Sequence, residues 1–262
     1  MTAFFAYEEL TWPEVNSLPR DTPLIIPLGN GYPLEQLSSA LSFPSSIGLL
    51  PPVPFGWRGS GLAVSDEVFQ RYLLNLIESL RDDGFSRTFV LTPQGLDWNS
   101  SPVESGLGAS RISLPLSSTH QSSLPGDDQR GKVILLPVGH TEQHGYHLPL
   151  STDTLIIDAV SKGTANKVPN DAFCLPVMPY GVSTHRSSFP GTLNAGGRAF
   201  EDFWLNVINV LAARGFDRFF FLSGHGGNVS FLVNIVKYAG ERHKRIFCAT
   251  CWLYLSGPEG IK

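Results

Sequence analysis

Apolar side chains recur at helical spacing in two stretches, one in each half of the chain. The first carries Val68, Phe69, Tyr72, Leu73, Leu76, Ile77 and Leu80, the second Phe200, Phe203, Val207, Val210 and Leu211. Each pattern predicts an amphipathic helix that buries one face. Both helices run into a glycine, Gly84 or Gly215, suited to a left-handed C-terminal cap, and then into a short apolar strand, TFVL or RFFFL. From residue 133 onward the pattern alternates: strand 133–139, helix 153–165, strand 172–178, helix 198–213, strand 218–222, helix 228–242, strand 245–254. Strands alternating with helices predict a parallel sheet with helices on both faces, an α/β fold.

The two halves resemble each other beyond their helices. TPLIIPLGNGYP near residue 25 parallels KVILLPVGHTEQ near residue 135, LLPPVPFG (49–56) parallels CLPVMPYG (174–181), and the segment 66–95 parallels 198–227 in the same order. This predicts an internal degenerate repeat. Residues 1–96 then form a first lobe and 131–262 a second. The Ser-, Gly- and Pro-rich stretch between them, about 97–130, is expected to be a linker or long surface loop.

Composition narrows the function classes. Charged residues make up 16% and the net charge is -4, so neither a nucleic-acid surface nor an anionic-membrane surface is expected. The N-terminus has no basic region and no apolar run approaches membrane-spanning length, from which a cytoplasmic location is expected. The cysteines, Cys174, Cys248 and Cys251, do not form a disulfide framework, and Cys248 and Cys251 are expected to pack in the core.

The halves differ where chemistry would sit. All seven histidines lie after residue 119. Asn30, Tyr32 and Leu34 of the first half stand where the second has His140, Glu142 and His144, and Gln94 stands where it has His225. In an open parallel sheet ligands bind beyond the carboxyl ends of the strands, so Glu142 and His144 after one strand and His225 after another are expected to meet. Glu142 and His144 are two apart and share a face of an extended backbone, while Asp153 opens the next helix. Two carboxylates and two imidazoles suit zinc or manganese, and a carboxylate shared by two ions suits a two-metal hydrolase that lowers the pKa of water. His140 has two candidate roles, ligand contact and turn capping, and His147 is assigned packing or a supporting hydrogen bond. His185, in a Gly/Ser/Pro loop, is the candidate catalytic residue, for substrate contact or general acid work, with loop support as its alternative. GHGGN (224–228) also fits a phosphate-cradling turn, with Asn228 as N-cap, but it has no lysine and His225 stands in its middle.

The series LPVGHTEQHGYHLPLSTD, MPYGVSTHRSSFPGT and LSGHGGN over residues 131–262 resembles the creatininase (creatinine amidohydrolase) family. The resemblance implies a three-layer α/β/α fold around a mainly parallel sheet. It also implies a dinuclear centre of divalent ions, zinc, manganese or iron, hydrolysing carbon–nitrogen bonds of small amides. By position, Glu142, Asp153 and His225 correspond to ligands of one ion and His144 and Asp153 to ligands of the other. Creatininase itself has a tyrosine and a ligating glutamate where this chain has Gly226 and Gly227; members of the Gly-Gly form draw that carboxylate from a downstream segment that this sequence lacks, Glu259 being the remaining candidate. The expected function is a metal-dependent amidohydrolase acting on a small cyclic amide or formamide, assembled as a homo-oligomer. The alternative is a metal-binding or interaction protein of the same scaffold with impaired turnover.

Overall fold

The structure, a computed structural model, describes residues 2–96, 110–116, 124–183 and 189–252. It is an α/β fold built of two parallel sheets flanked by helices. The first sheet contains β1 (Ala3–Ala6), β2 (Leu24–Pro27), β3 (Ser46–Leu49), β4 (Thr88–Pro93) and β5 (Ser110–Leu114) in the order β1-β3-β2-β4-β5. The second contains β6 (Val133–Val138), β7 (Ala172–Cys174), β8 (Arg218–Ser223) and β9 (Phe247–Trp252) in the order β7-β6-β8-β9. All four residues of β2 and all but the first of β6 are buried, as expected of inner strands covered on both faces.

Six α-helices connect these strands among the described residues: α1 (Trp12–Ser17), α2 (Leu34–Ala40), α3 (Asp66–Asp82), α4 (Thr152–Lys167), α5 (Gly197–Ala213) and α6 (Val229–Arg242). The stripes foreseen in α3 and α5 are buried except for the half-buried Val68 and Val210, and the two helices pack on each other: the Tyr72 and Phe203 rings stack at 4.6 Å and Asn75 Nδ2 donates to Ala195 O at 2.6 Å. Both end in the same turn. Gly84 (φ +90°) and Gly215 (φ +91°) take the left-handed conformation, and the following Phe85 and Phe216 amides reach back to Leu80 O and Leu211 O at 3.0 and 3.1 Å. The principal hydrophobic core is continuous across both halves, from Leu24 and Tyr72 to Phe203 and Phe221.

Two elements differ from their sequence expectation. The stretch expected to be a linker contains β5, whose Ile112 and Leu114 pack in a smaller core with Ile25, Leu37 and Leu91 while the main chain extends the sheet from β4. The strand foreseen over 172–178 stops at Cys174, because Pro176 and Pro179 bring no amide to the ladder. Contact returns at the single bridge Val138↔Met178, matched in the first half by Leu28↔Val53. The strands of each half thus follow a common sequence of positions, β3-β2-β4-β5 beside β7-β6-β8-β9. No helix among the described residues is long and apolar enough to cross a membrane. Cys174, Cys248 and Cys251 are free and partly buried, and Cys248 packs against the main core, where burial pushes its thiol up to about 12.

Candidate metal centre

The second sheet delivers its polar residues at one edge. β6 ends at Val138, and Gly139 lets α4 approach: a Cβ there would lie 2.3 Å from Thr154 Oγ1 and 2.6 Å from Thr154 Cα. His140, Glu142 and His144 follow, while Asp153 enters as the second residue of α4, where the helix N-terminus favours a carboxylate. β8 ends at Ser223 and places His225 beside them. These groups converge: His225 Nδ1 lies 3.1 Å from Glu142 Oε1 and 3.0 Å from Asp153 Oδ2, and His144 Nε2 lies 3.1 Å from Asp153 Oδ1. Glu142, Asp153 and His225 are buried, whereas the His144 side chain keeps 19% of its surface exposed.

The hydrogen bonds on the far sides of the rings decide what each nitrogen offers. His225 Nε2 lies 3.1 Å from the Val182 carbonyl, and His144 Nδ1 lies 3.0 Å from the Glu142 carbonyl. A carbonyl only accepts, so each ring donates there, and in the neutral form its other nitrogen turns a lone pair toward the carboxylates. A cluster of lone pairs and anions of this kind is satisfied by protons or by cations. In the metal-free state protons serve. Burial opposes charge on His225, but its bonds to Asp153 and Glu142 outweigh burial and raise its pKa from 6.5 to about 9; His144 is raised by Asp153 in the same way. Burial would raise the Asp153 carboxyl, yet the two histidines hold it down to about 2, and Glu142 is lowered by His225 and His140 against the same opposing burial. The donor set fits a divalent cation: ligand atoms of Glu142, His144 and Asp153 lie within 4.8 Å of one another, as do those of His140, Glu142 and His225.

Several supports were not legible in the sequence. Ser183 Oγ donates to Glu142 Oε2 at 3.0 Å, fixing the carboxylate's second oxygen. Asn228, expected as an N-cap, makes no side-chain cap; its Oδ1 accepts from Val182 N at 2.9 Å and its Nδ2 donates to Gly139 O at 3.2 Å, tying three loops together under the site. The first half buttresses the outer loop, with Leu150 N and Ser151 N donating to Leu10 O and Glu8 O, both at 2.9 Å. There the Trp12 ring meets Tyr146 and Phe189 edge-on at 5.4 and 5.8 Å. A Cβ on Gly227 would lie 2.3 Å from Val182 O and 2.4 Å from His225 Nε2, so this backbone has no room for a side chain there. His185 and Glu259 lie outside the described residues. His147 is exposed, and His243 is half-buried with Nε2 2.7 Å from Asn209 Oδ1.

A family model for creatinine amidohydrolase, the creatininase family, matches residues 118–259, just over half of the 262-residue chain. The chain belongs to the creatininase family. It is 40% identical over 116 residues to the mycofactocin precursor peptide peptidase of Mycolicibacterium smegmatis, covering 42% of this chain and 47% of that protein. It is 30% identical over 142 residues to the creatinine amidohydrolase of Pseudomonas putida, covering 50% and 54% respectively. A solved manganese creatininase aligns over 51% of this chain and 56% of its own, with 26% identity and a TM-score of 0.47. The chain spans about half the length of the curated relatives it matches.

Proposed function

We propose that this chain is a metal-dependent hydrolase of carbon–nitrogen bonds in amides, with Glu142, His144, Asp153 and His225 as its metal ligands. The observation that carries this reading is the matched orientation of two histidines: each spends its N–H on a backbone carbonyl and turns its other nitrogen to a carboxylate about 3 Å away. Such outer hydrogen bonds fix a ligand's tautomer and direction. Asp153 faces His225 with one oxygen and His144 with the other, the disposition of a carboxylate shared by two ions. Zinc or manganese bound here would polarise the substrate carbonyl and lower the pKa of water.

The chain's own groups do the rest. Ser183 holds Glu142 in place, the Asn228 amide fixes the two loops that carry the site, and the exposed face of His144 marks the side from which substrate enters. Relatives named as a peptide peptidase and as a creatinine amidohydrolase support an amide substrate, a small cyclic amide or formamide being the first class to test. His185 is the proposed general acid. The lobe 1–96 serves as a ligand-free support, and assembly into a homo-oligomer belongs to the same proposal. The alternative, a protein that binds metal without turnover, is favoured by the closed position at Gly227, which supplies no carboxylate. The test is a panel of cyclic amides, formamides and short peptides assayed with chelated and with zinc- or manganese-reloaded protein. Hydrolysis abolished by chelation and restored by metal supports the proposal; metal binding with no hydrolysis of any member selects the alternative.

A further inference from the structure

His140 is a buried polar group at the centre with no ligand role in the proposed set. Its ring stacks on His225, with centroids 4.3 Å apart and planes 28° apart, and it is fully enclosed. Because its ligand atom falls within 4.8 Å of those of Glu142 and His225, proximity alone would enlist it as a further metal ligand. Its hydrogen bonding argues otherwise. The Gly181 amide donates to His140 Nδ1 at 2.9 Å, so that nitrogen carries a lone pair, and the proton of the neutral ring resides on Nε2. Turning the ring over would put a carbon against the buried Gly181 amide and strand it. Gly181 itself packs closely, since a Cβ there would lie 2.3 Å from Asn228 Oδ1.

The three histidines of the centre therefore fall into two kinds. His144 and His225 each donate to a backbone carbonyl and set the other nitrogen against a carboxylate, whereas His140 accepts from a backbone amide and carries its N–H on Nε2. That Nε2–H is buried and has no hydrogen-bond partner among the described residues. A buried donor without an acceptor is unfavourable, and an acceptor that arrives with a ligand relieves it.

We infer that His140 is not a metal ligand but a hydrogen-bond donor to the reacting carbonyl oxygen of the substrate. This rests on the proposed metal-dependent hydrolase reading. As an amide carbonyl is attacked, its oxygen gains negative charge, and a pre-aimed donor in a water-poor site binds it more strongly than it binds the ground state. No covalent bond to His140 forms, and its proton stays on Nε2 throughout.

The test combines imidazole 15N NMR with metal titration. Long-range 1H–15N correlations on histidine-labelled wild type, assigned by the signal lost in His140→Gln, are expected to place the proton on Nε2 both without metal and with zinc. His140→Ala and His140→Gln are expected to keep the wild-type zinc stoichiometry, while His225→Ala loses it. Acetohydroxamate, a carbonyl-bearing probe, is expected to shift the Nε2–H resonance of the zinc-loaded protein. Its affinity should fall roughly tenfold in His140→Ala, with partial rescue in His140→Gln, whose amide still donates. A proton on Nδ1, release of the Nε2 proton on adding zinc, loss of an ion in both His140 variants, or an unmoved resonance would each overturn the inference. If wild type binds no zinc, the hydrolase reading fails instead, and the metal-free spectrum still decides which nitrogen of His140 carries its proton.

Discussion

The carboxyl ends of β2 and β6 are built alike and filled differently. Each strand passes through a proline into a glycine, and each receives a parallel bridge from the following segment, Leu28↔Val53 in one half and Val138↔Met178 in the other. Beyond β2 the space is apolar: a Cβ on Gly29 would meet the Trp57 ring at 3.4 Å and Leu116 at 3.6 Å, and the Tyr32 hydroxyl donates to Leu28 O at 2.6 Å. Beyond β6 the same kind of place holds His140, Glu142, Asp153 and His225, all buried. A parallel sheet supplies a place at its carboxyl edge, and the residues after the strand decide whether that place becomes core or chemistry.

The two edges differ most at Asp153, whose two oxygens face His144 and His225. Asp153→Ala is expected to reduce metal affinity and any amide hydrolysis at least about a hundredfold, whereas Asn30→Ala with Gln94→Ala, at the matching edge, is expected to change neither. Titration with zinc, followed by elemental analysis, checks both.

Phe203→Ala sharpens the relation between the halves in the other direction. Phe203 sits against Phe55, Phe69 and Tyr72 of the first half and Trp204 of its own, and is fully buried. Truncation is expected to cost about 3–5 kcal/mol. Because the core is continuous, both halves should unfold together in a single denaturant transition; two separated transitions would show independent lobes.

A smaller effect is expected at the hydrogen bond that Tyr72 gives to Tyr180 O across the halves, at 2.6 Å. Tyr72→Phe leaves that buried carbonyl unsatisfied and should lower stability by about 1–3 kcal/mol while sparing the metal stoichiometry. Urea unfolding of metal-loaded protein measures it.

The pH dependence separates the two edges as well. His225 has its pKa raised from 6.5 to about 9, so its contribution to the metal-free fold is complete below 6.5 and lost as pH rises through about 9. Thermal unfolding of the metal-free protein should therefore show Tm declining between pH 6.5 and 9. With zinc in place of the proton the decline should shrink, because the bound ion takes over the same lone pair. Equal slopes with and without zinc would contradict this assignment.

Much of this was legible in the sequence because it follows from periodicity and from strand ends. The stripes of α3 and α5, the glycine turns at Gly84 and Gly215, the alternation of strands and helices in the second half, and the meeting of Glu142, His144, Asp153 and His225 all rest on local spacing or on the rule that strand ends converge. What escaped depends on contacts between distant segments. β5 was hidden because a strand of five residues with three of them exposed carries little apolar signal. Asn228 reads as a helix cap by position, but three-dimensional packing gives its amide two backbone partners instead. The roles of His140 and Ser183 depend on which backbone group or carboxylate lies opposite, which no spacing encodes.

The most direct test of the central claim is the metal content of the purified wild-type chain beside Asp153→Ala, both grown with zinc and manganese and measured by elemental analysis. Roughly two ions per wild-type chain and near none in the variant are expected. A wild type without metal, or an Asp153→Ala protein that keeps the full complement, would contradict it.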